Sequence, residues 1–159
     1  MESKTSPVRD EALYEGIGRE ISSLFDGEDD WIANLANAAA VIYERLGYSW
    51  VGFYRAEGGS LVLGPFQGPA ACVRIAPGKG VCGTAFSDDA VQVVPDVHAF
   101  PGHIACDARS NSEVVVPLHA GGKVWGVLDV DSHRPNDFSP TDVAGLKSLA
   151  KIIESALPS

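Results

Sequence analysis

The sequence predicts an α+β fold: about six strands in a mostly antiparallel sheet, an N-terminal pair of helices and a C-terminal helix on one face, and a ligand pocket on the other. Three observations point there. Helical periodicity occupies the two ends of the chain; the middle is cut into short β-branched and aromatic runs separated by Gly and Pro; and those runs carry chemically different residues on their two sides. With 159 residues, 45% of them hydrophobic, there is material for one buried core, so residues 1–159 read as a single domain.

From about Asp10 to Phe25, Leu13, Ile17, Ile21 and Leu24 fall at helical spacing, and GEDD breaks the pattern. Trp31, Leu35, Ala38, Ala39 and Ile42 resume it as far as Gly47, a residue suited to a helix C-terminus. YSWVGFYRAE, GSLVLGPFQ and ACVRIA then read as three strands. GKGVCGTAF is a glycine-permitted turn leading into a short helix from near Val81, its backbone N–H groups open to an anion such as a carboxylate. AVQVVPD is a further strand. Residues 97–111 have no regular period and outrun an ordinary connection, which marks a functional loop. SEVVVPLHA and KVWGVLDVDS form a hairpin, and Ser139 caps a final helix with Pro140 at its first position.

Alternation along the strands sorts their side chains. Trp50, Gly52 and Tyr54 share one side and Val51 and Phe53 the other; Asp129 and Asp131 oppose Leu128 and Val130 in the same way. The hairpin register decides which side Glu113 joins. A loop of Gly121 and Gly122 alone would set Glu113 opposite Val130, among aliphatic residues. A three-residue loop, Ala120 to Gly122, sets Glu113 opposite Asp129 and keeps Val114, Val116 and Leu118 with the aliphatic set. The second register is the expectation, because the first buries a carboxylate without a partner. Three acids on one face require solvent, protons or a cation, and an organic ammonium suits them better than Ca²⁺, for which the DxDxDG loop is missing.

A formal charge of −9, with twelve scattered Lys and Arg, argues against nucleic acid and against an anionic membrane surface. There is neither an apolar run long enough to span a bilayer nor a signal-peptide core, so a cytoplasmic location is expected. In that reducing setting Cys72, placed in a strand, Cys82, in the glycine-rich turn, and Cys106, in the long loop, read as thiols. A zinc site using all three with His103 lacks close ligand spacing, and no metal or bound cofactor is expected. His98, His103, His119 and His133 read as surface or loop groups, with only His103 placed to assist a site. Cys106, exposed among turn formers, is the candidate for thiol redox chemistry.

GPFQGPAACVRIAPGKGVCGTAF, VPDVHAFPGHIACDARSNSEVVVPL and GVLDVDS resemble the GAF-domain free methionine-(R)-sulfoxide reductases, over a span from about Trp31 to the last helix. The resemblance implies reduction of free methionine (R)-sulfoxide to methionine, with Cys106 as the attacking cysteine, Cys72 as the resolving one and Cys82 as an auxiliary. It further implies Glu113, Asp129 and Asp131 as pocket carboxylates, Trp50 and Tyr54 as an aromatic wall, thioredoxin as the external reductant, and a homodimer. The rival reading is a non-enzymatic GAF sensor of a small ligand or of oxidation. A bilin-attaching module is disfavoured because Asp107 follows Cys106.

Overall fold

A computed structural model describes residues 8–103 and 109–158. Two helices lead, α1 (Glu11–Phe25) and α2 (Trp31–Leu46). Each is started by an aspartate whose side chain accepts a backbone N–H: Asp10 from Leu13 at 2.9 Å and Asp30 from Ala33 at 3.0 Å. α2 stops at Gly47, whose φ of 75° is the left-handed conformation glycine tolerates. On α1 the buried stripe is Tyr14, Ile17, Gly18 and Ile21, while Leu24 faces out and Phe25 packs against the core in its place.

The sheet follows as β1 (Trp50–Glu57), β2 (Ser60–Gln67), β3 (Arg74–Ile75), β4 (Gln92–Val94), β5 (Ser112–Ala120) and β6 (Lys123–Ser132), with α3 (Gly80–Asp88) between β3 and β4 and α4 (Pro140–Glu154) last. The strands run β3-β2-β1-β6-β5-β4 across the sheet, and every pairing is antiparallel. α4 begins with the expected Ser139 cap, reinforced by Asp142 in a capping box. ACVRIA forms far less strand than its composition suggests. β3 pairs with β2 only at Ile75 and Arg74, because Gly68 (φ 128°) and Pro69 turn the chain away from the edge. Cys72 therefore lies in the connection before β3, and Cys82 in the first turn of α3 instead of the turn ahead of it.

The two faces divide as the alternation requires. Val51, Phe53, Val114, Val116, Leu118, Leu128 and Val130 pack with α1, α2 and α4, and Trp50, Tyr54, Val115 and Val127 form a second cluster with α3. Leu118, Leu128, Phe53 and the Ile residues of α1 are fully buried, each worth roughly 1.5–3 kcal/mol of transfer from water.

The hairpin corrects one expectation. Its loop is Gly121–Gly122 alone, with φ of 60° and 76° and Ala120 opposite Lys123, the left-handed pair that matches strand twist in a two-residue turn. Parity is then restored further along. His119 pairs with Val124 but Leu118 pairs with Gly126, so Trp125 is an extra residue bulged out of β6 toward the helices, edge-on to Trp31 at 5.4 Å. Glu113 consequently faces Asp131, not Asp129, which lies opposite Val115. The carboxylate keeps the predicted side of the sheet, displaced by two residues from the predicted partner.

Candidate active site

The registers of β1, β6, β5 and β4 align their pocket-side residues in rows. Trp50, Asp131, Glu113 and Val94 make one row; Gly52, Asp129 and Val115 make the next. A glycine at position 52 is required, since a Cβ there would run into Phe66 and the Trp50 ring. The freed space lets the indole lie between Phe66 (5.3 Å) and Tyr54 (6.1 Å) in near-parallel stacks.

This wall also holds the segment ahead of β3. Trp50 Nε1 donates to the Pro69 carbonyl at 3.0 Å, and the Tyr54 hydroxyl donates to the Cys72 carbonyl at 2.8 Å. Phe66 and the tethers were not evident in the sequence, because they follow from where Gly68 and Pro69 send the chain. Cys72 is half-buried and disulfide-bonded, whereas Cys82 is a free thiol. Cys106 lies outside the described residues.

α3 lies over the floor and presents Cys82, whose thiol donates to Asp129 Oδ2 at 3.3 Å. The helix has no side-chain cap at Lys79; the Gly80 N–H donates to the Gly102 carbonyl at 3.2 Å, and Val81 and Cys82 of the first turn line the same cavity. Glu113 and Asp129 are buried, and Asp131 is partly exposed. Burial, and then the charge of Asp129, push Glu113 well above the usual carboxylate range; burial, and then the charge of Asp131, do the same to Asp129. Cys82 is pushed up by burial and by these acids, and so stays a thiol. His103 also lines the cavity, and its pKa is lowered by burial and by His98, 6.1 Å away ring to ring.

Trp50, Tyr54, Cys82, Glu113, Asp129 and Asp131 thus surround one cavity, with a free space of about 50 Å³. Ala70 and Ala71 line it, and Cys72 is packed just behind them against the same apolar cluster. One polar atom of the lining, Ser110 Oγ, is buried without a hydrogen-bond partner. Ser110 is a lining residue that no pattern in the sequence singled out.

A six-stranded antiparallel sheet, helices on one face and an enclosed pocket on the other are the features of a GAF domain, and residues 30–157 match the GAF domain family model. The chain is 50% identical over 146 residues to the free methionine-R-sulfoxide reductase of Escherichia coli (strain K12), covering 91% of this chain and 88% of that one. It is 41% identical over 161 residues to the protein of the same name from Saccharomyces cerevisiae (96% and 89% covered). The structure of the Neisseria meningitidis free methionine-R-sulfoxide reductase in complex with its substrate superposes with a TM-score of 0.90 at 48% identity, covering 98% and 95% of the two chains. The chain belongs to the GAF-domain free methionine-R-sulfoxide reductase family.

Proposed function

We propose that this protein reduces free methionine (R)-sulfoxide to methionine through Cys106 and Cys72. The observation that carries the reading is the row Trp50–Asp131–Glu113: an indole beside one half-buried and one buried carboxyl is the complement of an amino acid with a cationic ammonium at one end and a methyl sulfoxide at the other. The Escherichia coli and Saccharomyces cerevisiae relatives that bear this activity in their names support it.

In the proposed cycle the Cys106 thiolate attacks the sulfoxide sulfur while a proton passes to the oxygen. Methionine leaves and Cys106 becomes a sulfenic acid. Cys72 displaces water from it, forming a disulfide, and a dithiol of the thioredoxin type reopens that bond by exchange. Cys72 in a disulfide while Cys82 is free supports this division of roles. Burial and the neighbouring charges favour the protonated forms of Glu113 and Asp129: a protonated carboxyl there can deliver its proton to the sulfoxide oxygen and also spares Cys106 a repelling charge. Asp131, the least buried of the three, then remains for the ammonium. The Val81 and Cys82 N–H groups in the first turn of α3 receive the substrate carboxylate. A homodimer and a cytoplasmic location accompany the reading.

The test is incubation with each separated epimer of free methionine sulfoxide and dithiothreitol, beside a peptide-bound sulfoxide. Loss of the free R epimer alone is expected. Cys106→Ser should abolish it, and Cys72→Ser should still release one equivalent of methionine. Consumption of neither free epimer by the intact chain would end the proposal.

A further inference from the structure

We propose that Cys82, Glu113 and Asp129 form a binding site for a soft divalent cation of the zinc class, with three protein ligands and a fourth position open to the pocket. One donor atom from each lies within 4.8 Å of the others, and all three residues are buried. The Cys82 Sγ to Asp129 Oδ2 separation of 3.3 Å is already close to the ligand-to-ligand spacing of roughly 3.5 Å around a tetrahedral zinc with bonds of about 2.0–2.3 Å. Glu113 supplies the third donor, a carboxylate oxygen within 4.8 Å of the other two. The donors come from three packed elements, α3, β5 and β6, so the site is assembled before any ion arrives.

A second observation points to an occupant. Ser110 Oγ is a buried polar atom of this lining without a hydrogen-bond partner, and Ser110 is only 7% exposed. Leaving such a group unmatched forfeits the hydrogen bond it would make in water. A cation on the floor engages Asp129, and a water in its fourth position can donate to Ser110 Oγ. The donor set selects the metal: one sulfur with two carboxylates favours zinc or cadmium over calcium or magnesium, which take oxygen alone. On binding, the Cys82 thiol and whichever of the Glu113 and Asp129 carboxyls are protonated release their protons to solvent, and no electron is transferred. The ion would occupy the carboxyl floor used by the substrate, so the two exclude one another. That exclusion rests on the function proposed above; the metal site itself does not.

Cadmium chloride titrated into the oxidised full-length chain tests it, followed by thiolate-to-cadmium charge-transfer absorbance in the ultraviolet. The band should saturate at one equivalent, vanish in Cys82→Ser, and appear with about tenfold or weaker affinity in Glu113→Gln and Asp129→Asn, with circular dichroism confirming that each variant is folded. A missing band, or one that survives Cys82→Ser unchanged, overturns the site. Excess free methionine should then erase the band. A band that persists after equilibrium dialysis has shown methionine to be bound overturns the exclusion, and methionine that fails to bind at all counts against the proposed function instead.

Discussion

Asp129 sits 5% exposed under a thiol, with Glu113 and Asp131 beside it, and an ionised carboxylate there is costly. Its folded pKa is raised, so it favours folding below the unfolded carboxyl value near ~3.9 and progressively loses that benefit as pH climbs through the folded value. Asp129→Asn removes this titration. Denaturant unfolding should show the variant gaining on the parent between pH 5 and pH 8 while turnover falls; an equal stability gap at both pH values would mean that Asp129 is already ionised at pH 5. Tyr54→Phe probes a different link. Loss of the 2.8 Å bond to the Cys72 carbonyl should cost about 0.5–1.5 kcal/mol and slow disulfide closure, while the first methionine is released at the parental rate in a single-turnover measurement. These acids were legible in the sequence because alternation along a strand assigns faces without three-dimensional information. Ser110 and the Tyr54 tether were not, since both depend on the path of irregular segments.

Helices and strands were read well where a cap or a period announced them: Gly47 and Ser139 stand at their boundaries, while the caps Asp10 and Asp30 were not singled out as such. The two misreadings have one origin. Neither the shortening of β3 nor the bulge at Trp125 has a local signature, because each is decided by what the neighbouring strand and the helices offer. Gly52 shows the same dependence and gives a test. Gly52→Ala places a methyl group where the Trp50 ring and Phe66 meet, so β1 must shift or the indole must tilt. A loss of about 1–3 kcal/mol in denaturant unfolding is expected, with KM for the sulfoxide raised more than kcat is lowered. Unchanged stability would show that the wall is loosely packed.

Two polar clamps connect the layers at opposite ends. At one, Arg9 joins Asp137 at 2.6 Å and Asp142 at 3.1 Å while lying over the Tyr48 ring, and Tyr14 donates to the same Asp142 at 2.8 Å. At the other, His119 on β5 lies between Asp89 (2.7 Å), which ends α3, and Glu154 (3.0 Å), which ends α4. The Asp89 bond above all raises the His119 pKa, and its contribution is full below the unfolded value near ~6.5 and lost as pH rises through the folded one. The imidazole is 47% exposed, so screening limits the effect to at most about 1 kcal/mol. His119→Gln should therefore narrow the difference in stability between pH 5.5 and pH 8; a difference as large as in the parent would exclude His119 as its source.

Trp125 belongs to neither rung of the ladder, and that separates two jobs usually shared by one residue. Excising it would leave Leu118 beside Gly126 and every later pairing untouched, so the acids would keep their orientation and only the grip on Trp31 would be lost. Adding a residue between Gly126 and Asp129 does the reverse: unless a second kink absorbs it, Asp129 and Asp131 keep their places while the strand before them is inverted, and the bulge becomes the point at which the chain must choose between a sealed interior and a working floor.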